Sequence, residues 1–201
     1  QSRFALALIR KYDLHPKAVI IDADPYFVDK TDDQFEKVLQ NDPDTYLSYL
    51  IKAYFQRAQK VLCNEVSSAC GDGLTVYRSA IDGRWQIDDF FRLKAHREIP
   101  VTSNRNYRIA ELPEIVKVAK TFRESLPIPN SCIIITSIPS NEGTPTVAKI
   151  VAGKLNASYV VPDLDGLRTF DTRHLVPKDA ELWSNAMLKD ALHILETCLA
   201  R

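Results

Sequence analysis

The sequence has no excess of charge of either sign: 26 Lys and Arg residues balance 26 Asp and Glu residues over 201 positions. Broad electrostatic capture of nucleic acid or of an anionic membrane surface is therefore not expected. No apolar run approaches the roughly 20 residues that a helix needs to cross a bilayer, so no transmembrane segment is expected either. The opening Phe4-Ala5-Leu6-Ala7-Leu8-Ile9 is short for a signal peptide and meets Arg10 and Lys11 too soon. The first residue is not Met, and the chain reads as a fragment or a processed product. There is no Cys-x-x-Cys pair, and His96 lies too far from the cysteines to complete a local finger, so zinc is not expected. No metal site and no cofactor are foreseen. Internal repeats and low-complexity tracts are absent too.

What is present describes an ordinary globular chain. Hydrophobic residues make up 45% and charged residues 26%, enough for one sizeable core, as one domain or a domain with an insertion. Of the four cysteines, Cys63 and Cys70 lie seven apart in a polar, turn-rich stretch. Their spacing suits a small disulfide loop and hence an oxidising compartment. Cys132, at the start of an apolar strand, and Cys198, on an apolar helix face, read as small core residues.

Taken in order, Ser2 to Tyr12 reads as a helix that stops before Leu14-His15-Pro16, where proline disfavours the helical region for His15. Ala18-Val19-Ile20-Ile21 is a continuous apolar run suited to a buried parallel strand, and it ends in Asp22-Ala23-Asp24. Ligand-facing residues of parallel sheets gather at such carboxyl ends, which makes Asp22 and Asp24 candidate site residues. The Asp-rich stretch 29–44 reads as a solvated connection. Tyr46 to Leu62 reads as a helix striped by Leu47, Leu50, Ile51, Tyr54 and Phe55. From Cys70 to Arg108 turns alternate with short β-like runs, suggesting a hairpin in which Tyr77 and Trp85 pair. Helices follow at Leu112–Phe122, Thr146–Leu155 and from Pro177 onward, with strands at Cys132–Thr136 and Tyr159–Val161 between them. Strand and helix alternate, so the expectation is an α/β fold: a parallel sheet flanked by helices, with a β-containing insertion at 60–110 of a single domain 1–201.

The most chemical stretch is Phe170-Asp171-Thr172-Arg173-His174-Leu175, between the last strand and the Pro177-led helix. A His with a carboxylate three residues before it has the parts of a general base held in one tautomer. The plainer reading is a loop His whose neighbouring Asp caps a helix or faces water. Arg168 before the pair and Arg173 within its turn read as candidate contacts for a carboxylate-bearing substrate, or as solvated surface.

This Asp-x-x-His-Leu block, followed by a packed final helix, resembles the last conserved block of the SGNH (GDSL-type) hydrolases, in particular the SGNH-like proteins related to alginate O-acetylation factors. The resemblance implies a three-layer α/β/α fold, His174 as general base, and Asp171 as its orienting acid. It further implies an O-acetylated carbohydrate or small acyl ester as substrate, and a periplasmic or secreted location. The family's Gly-Asp-Ser block has no counterpart; Gly71-Asp72-Gly73 comes closest, with Gly in the serine position. The oxyanion-hole Asn is also missing, since Asp22 and Asp24 cannot donate hydrogen bonds when ionised. The expectation is therefore a chain without its first strand and nucleophile, or an inactive member, with Ser137 and Ser140 as stand-in nucleophiles after the second strand. Two alternatives stay open. Val19-Ile20-Ile21-Asp22-Ala23-Asp24 is similar to the first motif of haloacid dehalogenase-like, magnesium-dependent phosphatases, with Thr136, Lys149 or Lys154, and Asp163 with Asp165 as the further motifs. The other is a non-catalytic carbohydrate-binding or assembly subunit. The oligomeric state is left open.

Overall fold

The computed structural model describes residues 2–27, 50–51, 54–55, 57–58, 77–78, 85–86, 98–102 and 108–200. The proposed Cys63–Cys70 bridge, the 29–44 connection and Gly71-Asp72-Gly73 lie outside these residues. Along the chain the elements are α1 (Ser2–Lys11), β1 (Val19–Asp22), α2 (Ala23–Tyr26), the short strands β2 (Tyr77–Arg78) and β3 (Trp85–Gln86), then β4 (Ile99–Pro100) and α3 (Leu112–Glu124). There follow β5 (Ile133–Thr136), α4 (Pro145–Leu155), β6 (Ser158–Tyr159), β7 (Arg168–Thr169) and α5 (Pro177–Leu199). The fold is mixed α/β with a small parallel sheet.

The chain divides into two compact units, Gln1–Leu39 with Glu98–Arg201, and Gln40–Arg97. In the second unit the described residues between 50 and 58 are helical, and Leu50, Ile51, Tyr54 and Phe55 are exposed. β2 and β3 pair antiparallel, but the register sets Tyr77 opposite Gln86 and Arg78 opposite Trp85. The direct partner of Trp85 is thus Arg78 and not Tyr77. The segment around Ile99, read from sequence as part of the insertion, instead belongs to the first unit, where β4 pairs antiparallel with β7.

The first unit is built on a parallel sheet in the order β1-β5-β6. Every residue of the central strand Ile133-Ile134-Ile135-Thr136 is buried, as expected of an apolar run covered on both faces. Its side chains alternate between two clusters. Ile133 and Ile135 pack with Ala119 and Phe122 of α3 and Val147 and Val151 of α4. Ile134 packs with Trp183, Met187 and Ala191 of α5. Asp22-Ala23-Asp24-Pro25 does not form an open loop: Ala23–Tyr26 makes one helical turn. That turn is anchored by edge-to-face contacts of Tyr26 with Phe27 and Phe122, at 5.3 and 5.2 Å between centroids. Burial pushes the Tyr26 phenol up to about 12.

Prolines set the helix starts, with Pro113, Pro145 and Pro177 each in the first turn of its helix. Asn156, at φ 51°, ends α4 in the left-handed conformation that asparagine tolerates. β6 is shorter than the apolar run Tyr159-Val160-Val161 suggests, because Val160 still donates to the Ile135 carbonyl but Pro162 has no N–H to extend the ladder. The largest departure concerns the cysteines. Cys132 and Cys198 are not isolated core residues; they form a disulfide, Cα to Cα 5.7 Å, which ties the last turn of α5 to the entry of β5. Both residues are buried, so burial alone had been the visible signal.

Candidate active site

β7 leads directly into the Asp171–His174 turn. The chain leaves through Arg168-Thr169-Phe170 and returns through His174-Leu175-Val176. Bridging bonds run from Phe170 N–H to the His174 carbonyl (3.0 Å) and from Val176 N–H to the Arg168 carbonyl (2.9 Å), and Thr169 pairs with Leu175. Asp171, Thr172 and Arg173 are left at the tip of a tight hairpin. Thr172 takes φ 74°, a left-handed conformation costly for a β-branched residue. Its carbonyl accepts from the Asn141 N–H at 2.9 Å, which helps to hold that conformation.

The turn brings Asp171 and His174 together. His174 Nδ1 lies 2.7 Å from Asp171 Oδ2, while Asp171 Oδ1 accepts from the backbone N–H groups of His174 (2.8 Å) and Arg173 (3.0 Å). Both carboxylate oxygens are therefore engaged, and the imidazole is held by ring and backbone at once. Burial works to raise the Asp171 pKa. The hydrogen bond from the His174 ring, those from the His174 and Arg173 backbones, and attraction to His174 outweigh it and hold the carboxyl below its usual value. The ring also stacks on the buried Phe170, centroids 5.6 Å apart and planes 12° from parallel. The ionised Asp171 favours the proton on Nδ1 and leaves the lone pair on Nε2. The His174 side chain is 65% exposed, and its only hydrogen-bonding side-chain partner among the described residues is Asp171. An oriented, open Nε2 can take a proton from a hydroxyl and return it to a leaving group.

Three elements fix this hairpin from outside. β4 pairs along one edge, with Val101 N–H donating to the Leu167 carbonyl. The loop after β5 supplies Asn141, whose side-chain oxygen accepts from the Thr102 N–H at 2.7 Å, and Glu142, whose carboxylate meets Arg173 Nη2 at 2.8 Å. That loop turns tightly at Gly143, where a Cβ would come within 3.1–3.2 Å of the backbone of Ser140 and Ile138. The first turn of α5 supplies Asp179, buried, which accepts from Arg168 N–H at 2.8 Å and from Arg168 Nε at 3.3 Å. Arg168 also pairs with Glu98. The hydrogen bond to Asp179 and the attraction of Glu98 raise its already high pKa. Arg168 and Arg173 are thus already paired with Asp179, Glu98 and Glu142, and a substrate carboxylate would have to compete with those partners. Asn141, Glu142 and Asp179 had no sequence signal beyond the turn-forming character of Ser140-Asn141-Glu142-Gly143.

The remaining candidates Asp22, Asp24, Ser137 and Ser140 lie at the ends of β1 and β5. Asp22 closes β1 opposite Thr136 of β5 and is half-buried. Asp24 lies in α2. Ser137 and Ser140 are buried at the carboxyl end of β5, and neither hydroxyl hydrogen-bonds to His174. Thr136 Oγ donates to the Val160 carbonyl at 2.6 Å and is occupied in joining β5 to β6. Asp163 and Asp165 are exposed and follow β6, and β5 stands between β6 and β1, so they do not share a neighbouring strand end with Asp22. Among the described residues no three His, Cys, Asp or Glu side chains cluster as a metal site, and no helix is long and apolar enough to cross a membrane.

No protein-family model matches the chain, and no curated protein or solved structure matches it.

Proposed function

We propose that this chain supplies the general base and its orienting acid, His174 and Asp171, to an SGNH-type serine esterase or O-acyltransferase acting on O-acetylated carbohydrate or a small acyl ester. The observation that carries this reading is the 2.7 Å Nδ1–Oδ2 hydrogen bond beside an open Nε2. In the reaction, Nε2 takes the proton of a serine hydroxyl as its oxygen attacks the ester carbonyl, and then gives that proton to the departing alkoxide. Asp171 stays ionised throughout and stabilises the imidazolium. Water then repeats the cycle on the acyl-serine to release the acid, or an acceptor hydroxyl takes the acyl group. The reading requires a serine and oxyanion donors to be supplied to this pair, since the sequence carries no Gly-Asp-Ser block and has Asp22 and Asp24 where the oxyanion-hole Asn would stand. The two apolar clusters on opposite faces of the β1-β5-β6 sheet support the three-layer α/β/α architecture this class requires. The Cys132–Cys198 disulfide supports a periplasmic or secreted location, because such bonds persist in oxidising compartments.

The test is turnover of an acetyl ester together with labelling by a fluorophosphonate probe. This chain alone is expected to show neither, because removing the nucleophile costs about as much as removing the whole triad. A longer form of the protein carrying a serine block should do both, and His174→Ala in that form should abolish turnover. A longer form that neither labels nor turns over would instead favour a binding or assembly subunit. Robust hydrolysis by the 201-residue chain would direct mutagenesis to Ser137 and Ser140.

A further inference from the structure

Helix α5 carries two apolar stripes, and only one of them is covered. Trp183, Met187, Ala191 and Cys198 are buried against the sheet and the disulfide. Leu188, Leu192, Leu195 and Leu199 form the second stripe at i, i+4, i+7 and i+11, the spacing of a two-helix seam. Leu188, Leu192 and Leu199 are 46%, 51% and 58% exposed, while Leu195 leans partly against the core. Isolated surface leucines need no explanation, but four in register on one helix make a contiguous patch of the kind that marks an interaction site. The platform is rigid. Cys198 is bonded to Cys132, and Lys17 Nζ donates to the Leu199 carbonyl at 3.0 Å, so little ordering cost attends association.

The charges beside the seam identify what covers it. Lys189 and Glu196 stand seven residues apart on the same flank, and neither has an ion-pair partner among the described residues. In an antiparallel pair of α5 helices, Leu192 meets Leu195 of the other copy and Leu188 meets Leu199. The same register sets each Lys189 against the opposing Glu196. In a parallel pair this flank would face the other flank of the second helix, and Lys189 and Glu196 would not meet. With one Lys and one Glu on this flank, the seam also lacks the basic cluster that an anionic lipid surface would favour. We propose that the Leu188–Leu192–Leu195–Leu199 seam of α5 is a self-complementary dimer interface between two copies of this chain, packed antiparallel about a twofold axis. The inference stands apart from the esterase reading, because no residue of the Asp171–His174 turn takes part. The patch is small for a stable interface, so the dimer dissociates on dilution.

Analytical ultracentrifugation of the whole chain over a wide concentration range tests this. The expected result is a reversible monomer–dimer equilibrium that Leu192→Glu weakens at least about thirtyfold, the factor that a buried hot-spot side chain is worth. Lys189→Glu and Glu196→Lys, both at exposed positions, should each weaken it, and the two together should restore it. Circular dichroism on every variant confirms folding, and the charge pair provides the test even if Leu192→Glu does not fold. A chain monomeric at every concentration overturns the proposal and leaves the seam to a different partner. So does a dimer indifferent to Leu192→Glu, or a double charge variant as weak as the single ones.

Discussion

The two ends of α5 are fastened by different physics. At its start, Asp179 holds the Asp171–His174 hairpin through Arg168, and Arg168 reaches on to Glu98: charged, hydrogen-bonded contacts that depend on protonation and ordering. At its end, Cys198 is joined covalently to the entry of the central strand. Between the two, Trp183, Met187 and Ala191 supply ordinary burial against Ile134 and Val160. A covalent and apolar end resists perturbation, whereas the polar end, which carries the chemistry, is the one that can be loosened without unfolding the domain. Binding and catalytic elements are commonly drawn from such less stable regions.

The largest expected effect breaks the covalent end. Replacing both Cys132 and Cys198 by Ala should cost about 4 kcal/mol in the chain-entropy model for a loop of this length. Chemical denaturation measures that loss. The nuclear magnetic resonance signature of the His174–Asp171 hydrogen bond should survive under native conditions. If that bond disappears with the disulfide, the two ends are coupled and the contrast fails.

Breaking the polar end comes next. Asp179→Ala leaves the Arg168 N–H without its acceptor and should cost about 1–3 kcal/mol. Here hydrogen exchange should accelerate at Phe170 and Val176, the amides that bridge the hairpin, and much less at Ile134 and Ile135. Uniform acceleration across the sheet would show that Asp179 is a global element and not a local anchor.

Within the hairpin, Thr172 pays for its positive φ. Thr172→Gly relieves that strain at some entropic cost and should be stabilising by up to about 1 kcal/mol, provided the carbonyl keeps its bond from Asn141. A thermal melt decides the sign, and a destabilised variant would mean that the Thr side chain contributes contacts worth more than the strain.

The smallest effect is electrostatic. The Asp171 carboxyl is held below its usual value in the folded chain, so the unfolded chain binds the extra proton first. Its contribution to stability is therefore complete above the ordinary carboxylate pKa and is lost as pH falls through the lowered folded value. The stability gap between the wild type and Asp171→Asn should narrow on acidification through that window and stay flat above it. A gap independent of pH would remove Asp171 as an ionised partner of His174.

Much of this organisation was legible in short windows. The strand character of Val19–Ile21 and Ile133–Ile135, the proline that opens α5, and the helical spacing of Trp183, Met187 and Ala191 each state a local preference that tertiary structure had no reason to override. The burial expected of the first run was overridden at Ile20, which is exposed because β1 lies at the end of the β1-β5-β6 sheet. The Asp171–His174 contact was legible too, because three residues of sequence bring the two side chains within reach in a tight turn. Other features were written in separations too long for any periodicity to report. Cys132 and Cys198 are 66 residues apart and each looks like a small apolar residue from its own neighbours. Thr102 and Asn141 are 39 apart, and Glu98 and Arg168 are 70 apart. The split of the chain at Gln40–Arg97, and the return of Ile99 to pair with Thr169, are of the same kind. A residue's own neighbours determine whether it favours helix, strand or turn, because those preferences arise from backbone sterics and side-chain periodicity. Which distant groups then meet depends on how the elements pack. Packing decided that Arg168 and Arg173 serve the scaffold, that Asn141 and Glu142 support the turn, and that His174 is left with one nitrogen held and the other open.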